Sequence, residues 1–321
     1  MKNVLNKSFL GLKLWYFLLF WVIALVGLIL GSVFDLKLST SIATQGTPFG
    51  MFFESWGSVI VTFVGPIGAG IAGKGLIRKG NKPWLIALGI LVGVVVVGAV
   101  FYFNYKDLKG SDVTNGYGYT VSNVMAAVLA IAINVWLYFL GFVLADDDNI
   151  SPYRLAVLGL AVVLTFGIFQ GALNVFKILA GRPRYRFLAW ADNAYSTDDF
   201  RAWWQFSIGH KLDNGGNSDA LKSFPSGHTG GIAAFIVVPL ILSAIKGTSD
   251  KELVKHISIF VVLALTITMA FARIVNGAHF LSDVSFGAIL ATLCAFLVAL
   301  IADKVVKKFP EVNLAKPDSN Q

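Results

Sequence analysis

Eight apolar runs, at about 14–34, 55–73, 83–103, 124–145, 155–176, 229–245, 257–272 and 285–301, constrain this chain more than any other feature. Each reaches or approaches the roughly 20 residues that a helix needs to cross a hydrocarbon layer, with about 17 as the lower bound. With 56% hydrophobic and only 14% charged residues, and a mean hydropathy of +0.72, 321 residues cannot hide so much apolar surface in one soluble core. The fold class expected is therefore all-α: a polytopic membrane helical bundle of about eight transmembrane helices.

Charge gives the orientation. The net charge of +8 is spread over the loops between runs, which fits a topology bias and not a nucleic-acid surface. With the N-terminus cytoplasmic, 15 of the 26 basic residues fall inside, and both termini share that side. The expected location is a cell membrane, crossed several times. Among the remaining basic residues, Lys177, Arg182, Arg184 and Arg186 crowd the non-cytoplasmic end of the fifth run, against the usual bias. That placement asks for another reason. The first run is longer than a secretory h-region of about 7–15 residues and no A-x-A site follows it, so it reads as a retained helix. The single cysteine, Cys294, lies in the last run, so neither an intramolecular disulfide nor a Cys/His metal cluster is expected. No metal, cofactor or nucleic-acid partner is expected, and oligomeric state is not readable.

No internal repeat interrupts the chain. Its division is expected to be four N-terminal helices in 1–150, a four-helix core in 151–305 with a polar outer loop at 178–224, and a cytoplasmic tail at 306–321. The loop carries Trp190, Trp203 and Trp204, placed as interfacial aromatics that would cover a site, and a turn-rich stretch, "KLDNGGNSDALK". A loop this long in a bundle is functional or disordered. Within the runs, Asn134, Gln170 and Asn174 read as interhelical hydrogen-bond partners. Glu54, near the outer end of the second run, could serve a site but reads better as a solvated interfacial carboxylate.

Three clusters stand at run ends on the non-cytoplasmic side. "KILAGRPRY", Lys177 to Tyr185, is either a snorkelling lysine with a basic stop or an anion clamp, in which lysine gives a point charge and arginine a planar fork. "SFPSGHTGG", Ser223 to Gly231, opens the sixth run. Ser226 can cap that helix, Gly227 lets the backbone approach an anion, and His228 stands on the first turn. A merely capped helix would explain Ser226 but leave His228 without a purpose. "ARIVNGAHFLSD", Ala272 to Asp283, joins the last two runs. His279 and Asp283 are four apart, so on a helix they would share a face and hydrogen-bond, freeing the other ring nitrogen to attack. The same spacing also suits an ordinary interfacial pair. Together the clusters hold two histidines, a carboxylate and several cations, an inventory for attack by histidine on a phosphate.

The chain here resembles the type 2 phosphatidic acid phosphatase superfamily, the membrane relatives of vanadium haloperoxidases, whose motifs are K-x6-R-P, P-S-G-H and S-R-x5-H-x3-D. The second stands intact at Pro225 to His228. The third is met by Arg273, His279 and Asp283, with Ala272 in place of serine. In the first, Lys177 and Arg184 have the spacing, Tyr185 replaces proline, and Arg182 is the reserve candidate for the clamp. The resemblance covers roughly 155–301.

It implies that His279 is the nucleophile forming a phosphohistidine, that Asp283 orients it, and that His228 protonates the leaving group and then activates water. Lys177, Arg184, Arg273, Ser226 and Gly227 would hold phosphoryl oxygens. The function implied is a metal-independent lipid phosphatase acting on phosphatidic acid, phosphatidylglycerophosphate or a polyprenyl diphosphate. A phosphoryl or headgroup transferase using the same site and a catalytically silent lipid-phosphate binder are the alternatives. The partners implied are the lipid phosphate and the bilayer.

Overall fold

The computed structural model describes residues 2–78, 82–108, 122–146, 150–190, 195–207, 220–248 and 251–308. Most of the turn-rich stretch at 211–222 and of the tail at 306–321 lies outside the described residues. Among the described residues, eight helices are long and apolar enough to cross a bilayer, as the apolar runs require. The long helices are α1 (Leu14–Ile42), α5 (Pro83–Leu108), α6 (Asn123–Leu144), α7 (Pro152–Ala180), α11 (Glu252–Val275) and α12 (Leu281–Lys308), and two further spans are interrupted. Many of the large side chains on these helices face outward, among them Val22, Ile29, Leu91, Val94, Trp136 and Phe139. Outward apolar surface of this extent suits hydrocarbon, not water.

The interruptions have local causes. The second span is built from α3 (Gly57–Val61) and α4 (Val64–Arg78), and the short α2 (Pro48–Ser55) precedes it. Thr47 caps α2 and Pro48 takes its first position, where a missing N–H costs nothing. At the break after α3, the Thr62 hydroxyl turns back to the carbonyl of Val59, 2.7 Å away. The same hydroxyl lies 3.1 Å from Asn104 Oδ1 on α5. The sixth span runs as α9 (Gly227–Ala233), a 3₁₀ turn (Ala234–Val237) and α10 (Val238–Ala244). Pro239 explains the turn, since it supplies no N–H to the preceding turn and crowds its carbonyl.

Helices start and stop where the residues allow. Ser122 caps α6, and Ser151 followed by Pro152 starts α7. Gly181 ends α7 in the left-handed region, at φ 54°. The short α8 (Tyr185–Ala189) follows the Arg-Pro stretch. The main core lies between α1, α4, α7, the broken sixth span and α12, and includes Phe17, Ile71, Leu158, Phe169, Ile236 and Ala291.

Two approaches position the site. At Gly31 a Cβ would collide with the backbone of Ser282, so only glycine lets α1 lie against the start of α12. There Asp35 accepts from the Ser282 backbone at 2.9 Å and from the Ser282 hydroxyl. In the turn after α11, Gly277 adopts φ 60° and lies against Trp190, and its carbonyl accepts from the Arg186 amide at 2.8 Å.

Candidate active site

The three clusters meet at one end of the bundle. Lys177 stands in the last turn of α7, Gly227 and His228 in the first turn of α9, Arg273 in the last turn of α11, and His279 just before α12. The chain leading into α9 is held to the arginine-rich stretch by two backbone bonds. The Ser223 amide donates to the Arg182 carbonyl at 3.0 Å, and the Arg184 amide donates to the Ala220 carbonyl at 2.9 Å. A cavity of about 340 Å³ opens at this point. Six of the expected residues line it: Lys177, Arg184, Gly227, His228, Arg273 and His279.

Three expected residues stand behind the lining. Ser226 is fully buried, caps α9 by accepting from the Thr229 amide, and donates its own amide to the Asp283 carbonyl at 3.0 Å. It serves the helix start rather than the cavity surface. Arg182 is 1% exposed and spent on protein groups. It pairs with Asp35 at 2.9 Å and Asp283 at 2.5 Å, and donates to Ser282 Oγ at 2.8 Å and to the Arg201 carbonyl at 2.7 Å. Its guanidinium also lies over the Phe280 ring. Between the two clamp candidates, Arg184 faces the cavity and Arg182 does not.

Asp283 departs from the expected geometry. α12 begins at Leu281, so His279 lies outside it and the shared helix face does not exist. Asp283 Oδ2 is 3.9 Å from His279 Nδ1, beyond hydrogen-bond reach. It accepts instead from Ser223 Oγ at 2.5 Å and from the Phe280 amide at 2.8 Å, capping the start of α12. The partner of His279 is the Ser223 carbonyl, 2.5 Å from Nδ1. A carbonyl can only accept, so Nδ1 carries the proton and Nε2 carries a lone pair. Burial first, then the charges of Arg184, Arg273 and Lys177, hold His279 well below the ordinary histidine value and keep the ring neutral. A neutral imidazole with a free Nε2 is a nucleophile.

His228 complements it. Its Nε2 is buried and has no hydrogen-bond partner among the described residues. A buried orphan of that kind fits a group awaiting a proton transfer with something that enters the cavity.

Sequence reasoning missed several lining residues. Glu54, expected to be solvated, is mostly buried in the cavity wall. It accepts from Arg186 at 2.8 Å and from Asn276, and Arg273 Nη2 lies 3.7 Å away. Burial works to raise its carboxyl, but Arg273, Arg186 and Arg184 outweigh burial and hold it at about 2. Gln170 and Asn174, expected to bridge helices, also line the cavity, as does Lys222. Trp190, Trp203 and Trp204 do not. Trp203 donates to Ser32 Oγ at 2.9 Å and stacks on Phe224, tying the outer loop to α1. Local pattern carries no sign of the Glu54 pairings or of the Trp203–Ser32 bond, because those partners are more than a hundred residues apart.

Among the described residues no three His, Cys, Asp or Glu side chains cluster as a metal site. The arrangement is a cation-lined cavity holding one neutral, oriented imidazole and one imidazole with an unspent nitrogen. Such a cavity can bind a phosphate and pass it through an enzyme-bound intermediate. No curated protein and no solved structure matches the chain. The stretch carrying Lys177, Arg184, Gly227, His228, Arg273 and His279 does match a family: residues 155–307 match the PAP2 superfamily.

Proposed function

We propose that this protein is an integral membrane lipid phosphatase working through a phosphohistidine. The superfamily that residues 155–307 match supports a phosphoester hydrolase. The observation that carries the reading is the state of His279, neutral and held by the Ser223 carbonyl with Nε2 free, in a cavity that Lys177, Arg184 and Arg273 also line. In the first step Nε2 bonds to phosphorus as the bond to the leaving oxygen breaks, and His228 gives that oxygen its proton. In the second step a water oxygen bonds to phosphorus as the P–N bond breaks, and His228 takes up the water's proton. Lys177, Arg184, Arg273 and the Gly227 amide hold the phosphoryl oxygens through both. Asp283, 3.9 Å from His279 Nδ1, offsets the positive charge that His279 acquires.

In this reading the four helices within 151–305 form the catalytic core. The four N-terminal helices support it, and both termini are cytoplasmic. The excess of basic residues on that side supports the orientation, with the site at the non-cytoplasmic face of a cell membrane. A lipid phosphate then presents its headgroup at the depth of the cavity while its tails stay in the bilayer. The test is inorganic phosphate release by the detergent-purified protein from a panel of lipid phosphates in excess EDTA, with His279→Ala alongside. Release by wild type alone supports the reading; equal release by the variant overturns it.

A further inference from the structure

α7 brings more than Lys177 to the cavity. Asn174 and Gln170 line it on the same helix, and Phe166 and Phe103 line it as well. At about 1.5 Å rise per residue, Asn174 and Gln170 stand about 4.5 and 10.5 Å along the axis from Lys177. The cavity is therefore graded along α7: cations at the helix end, then two neutral amides, with aromatic rings a further turn on.

Nothing in the protein accounts for the two amides. Asn174 donates to the Gln170 backbone carbonyl at 2.8 Å, within its own helix. Among the described residues the Asn174 carbonyl oxygen and the whole Gln170 side-chain amide make no hydrogen bond. Thr62 in the same wall is already committed to Val59 and Asn104. Asn174 is exposed and Gln170 half-buried, so both amides are open to what enters the cavity, and interhelical pairing, the usual reason to keep such groups in a membrane-spanning helix, is absent.

We propose that Asn174 and Gln170 form a subsite for the polar linkage between a substrate's phosphate and its hydrocarbon. Resting on the phosphatase reading, this names the substrate class: a lipid phosphate with ester carbonyls or hydroxyls within about 10 Å of phosphorus. A glycerol-based lipid phosphate has that form. Each amide offers both a donor and an acceptor without charge, which suits carbonyls and hydroxyls. A prenyl or alkyl chain in this position would leave both amides unpaired.

The experiment compares phosphate release from dioctanoyl phosphatidic acid and from dodecyl phosphate in detergent, for wild type and the double variant Asn174→Leu, Gln170→Leu. The expected result is a loss of about tenfold or more in kcat/KM on phosphatidic acid, with dodecyl phosphate turnover kept, as for a site that hydrogen-bonds its substrate. Retained dodecyl phosphate turnover also shows that the variant is folded. Equal losses on both substrates, or no loss on either, overturn the proposal. Should the variant not fold, the wild-type ratio decides: similar kcat/KM on the two substrates overturns the subsite, and a marked preference for phosphatidic acid upholds it. Wild type releasing phosphate from neither would instead defeat the phosphatase reading, and the subsite with it.

Discussion

His279 Nδ1 lies 2.5 Å from the carbonyl oxygen of Ser223, and this backbone group sets the tautomer of the ring. The Asp283 carboxylate, 3.9 Å from the same nitrogen, acts on charge rather than on orientation. Removing that charge therefore has two effects. Asp283→Asn is expected to lower kcat by about 10²-fold or more, because the cationic form of His279 loses its counter-charge. It also takes from Arg182 one of two buried carboxylates, so the thermal midpoint falls as well. Steady-state kinetics beside thermal unfolding in detergent checks both. An unchanged midpoint would show that Asp35 alone satisfies Arg182.

The two clamp candidates separate by the kind of damage they cause. Arg184→Ala is expected to abolish most turnover while leaving the unfolding midpoint close to wild type. Arg182→Ala leaves Asp35 and Asp283 buried without their shared cation, a loss of about 3–5 kcal/mol for a buried pair. Poor folding, not selective loss of rate, is the expected outcome. A well-folded Arg182→Ala protein with raised KM would reverse the assignment.

Glu54 shares Arg273 with whatever anion enters the cavity. Held at about 2, its carboxylate is ionised across the working pH range and offsets part of the positive field. Glu54→Gln should tighten competitive inhibition by inorganic phosphate several-fold and lower KM and kcat together, as product release slows. Weaker phosphate inhibition in the variant would mean that Glu54 only props Arg273 in place.

Acid should destabilise the protein through His279. An unfolded histidine takes up a proton below about pH 6.5, whereas the buried ring refuses it to a much lower pH. The unfolded chain thus binds more protons in that window, and stability falls as pH drops from about 6.5 toward the folded-state value. Thermal midpoints measured from pH 8 to pH 5 are expected to fall more steeply for wild type than for His279→Gln. Parallel slopes would mean that another group controls the acid response.

Much of the site is visible in the sequence, for reasons that are local. A Ser-Gly-His at a helix start and an Arg and His around an Asn-Gly turn reveal themselves by residue type and spacing, and the apolar runs put them at one level. The departures fall where partners are remote or where two residues stand on either side of a helix start. His279 and Asp283 fit a shared face only if the helix includes both; it starts at Leu281. Asp35 lies just past the end of the first apolar run, yet α1 continues to Ile42 and carries it to Arg182. Glu54 looked like an ordinary interfacial carboxylate because its guanidinium partners come from the other half of the chain.

The pairing of Asp35 with Arg182 also bears on how the protein is made. A ribosome adding about 5–20 residues per second emits Asp35 on the order of ten seconds before the arginine that neutralises it, and Asp283 later still. Through that interval α1 carries a carboxylate with no counter-ion, so it is poorly suited to settle in lipid by itself. α1 thus depends for its docking on residues made after it, and the matched segment, synthesised without it, would lack the acid that steadies its own Arg182.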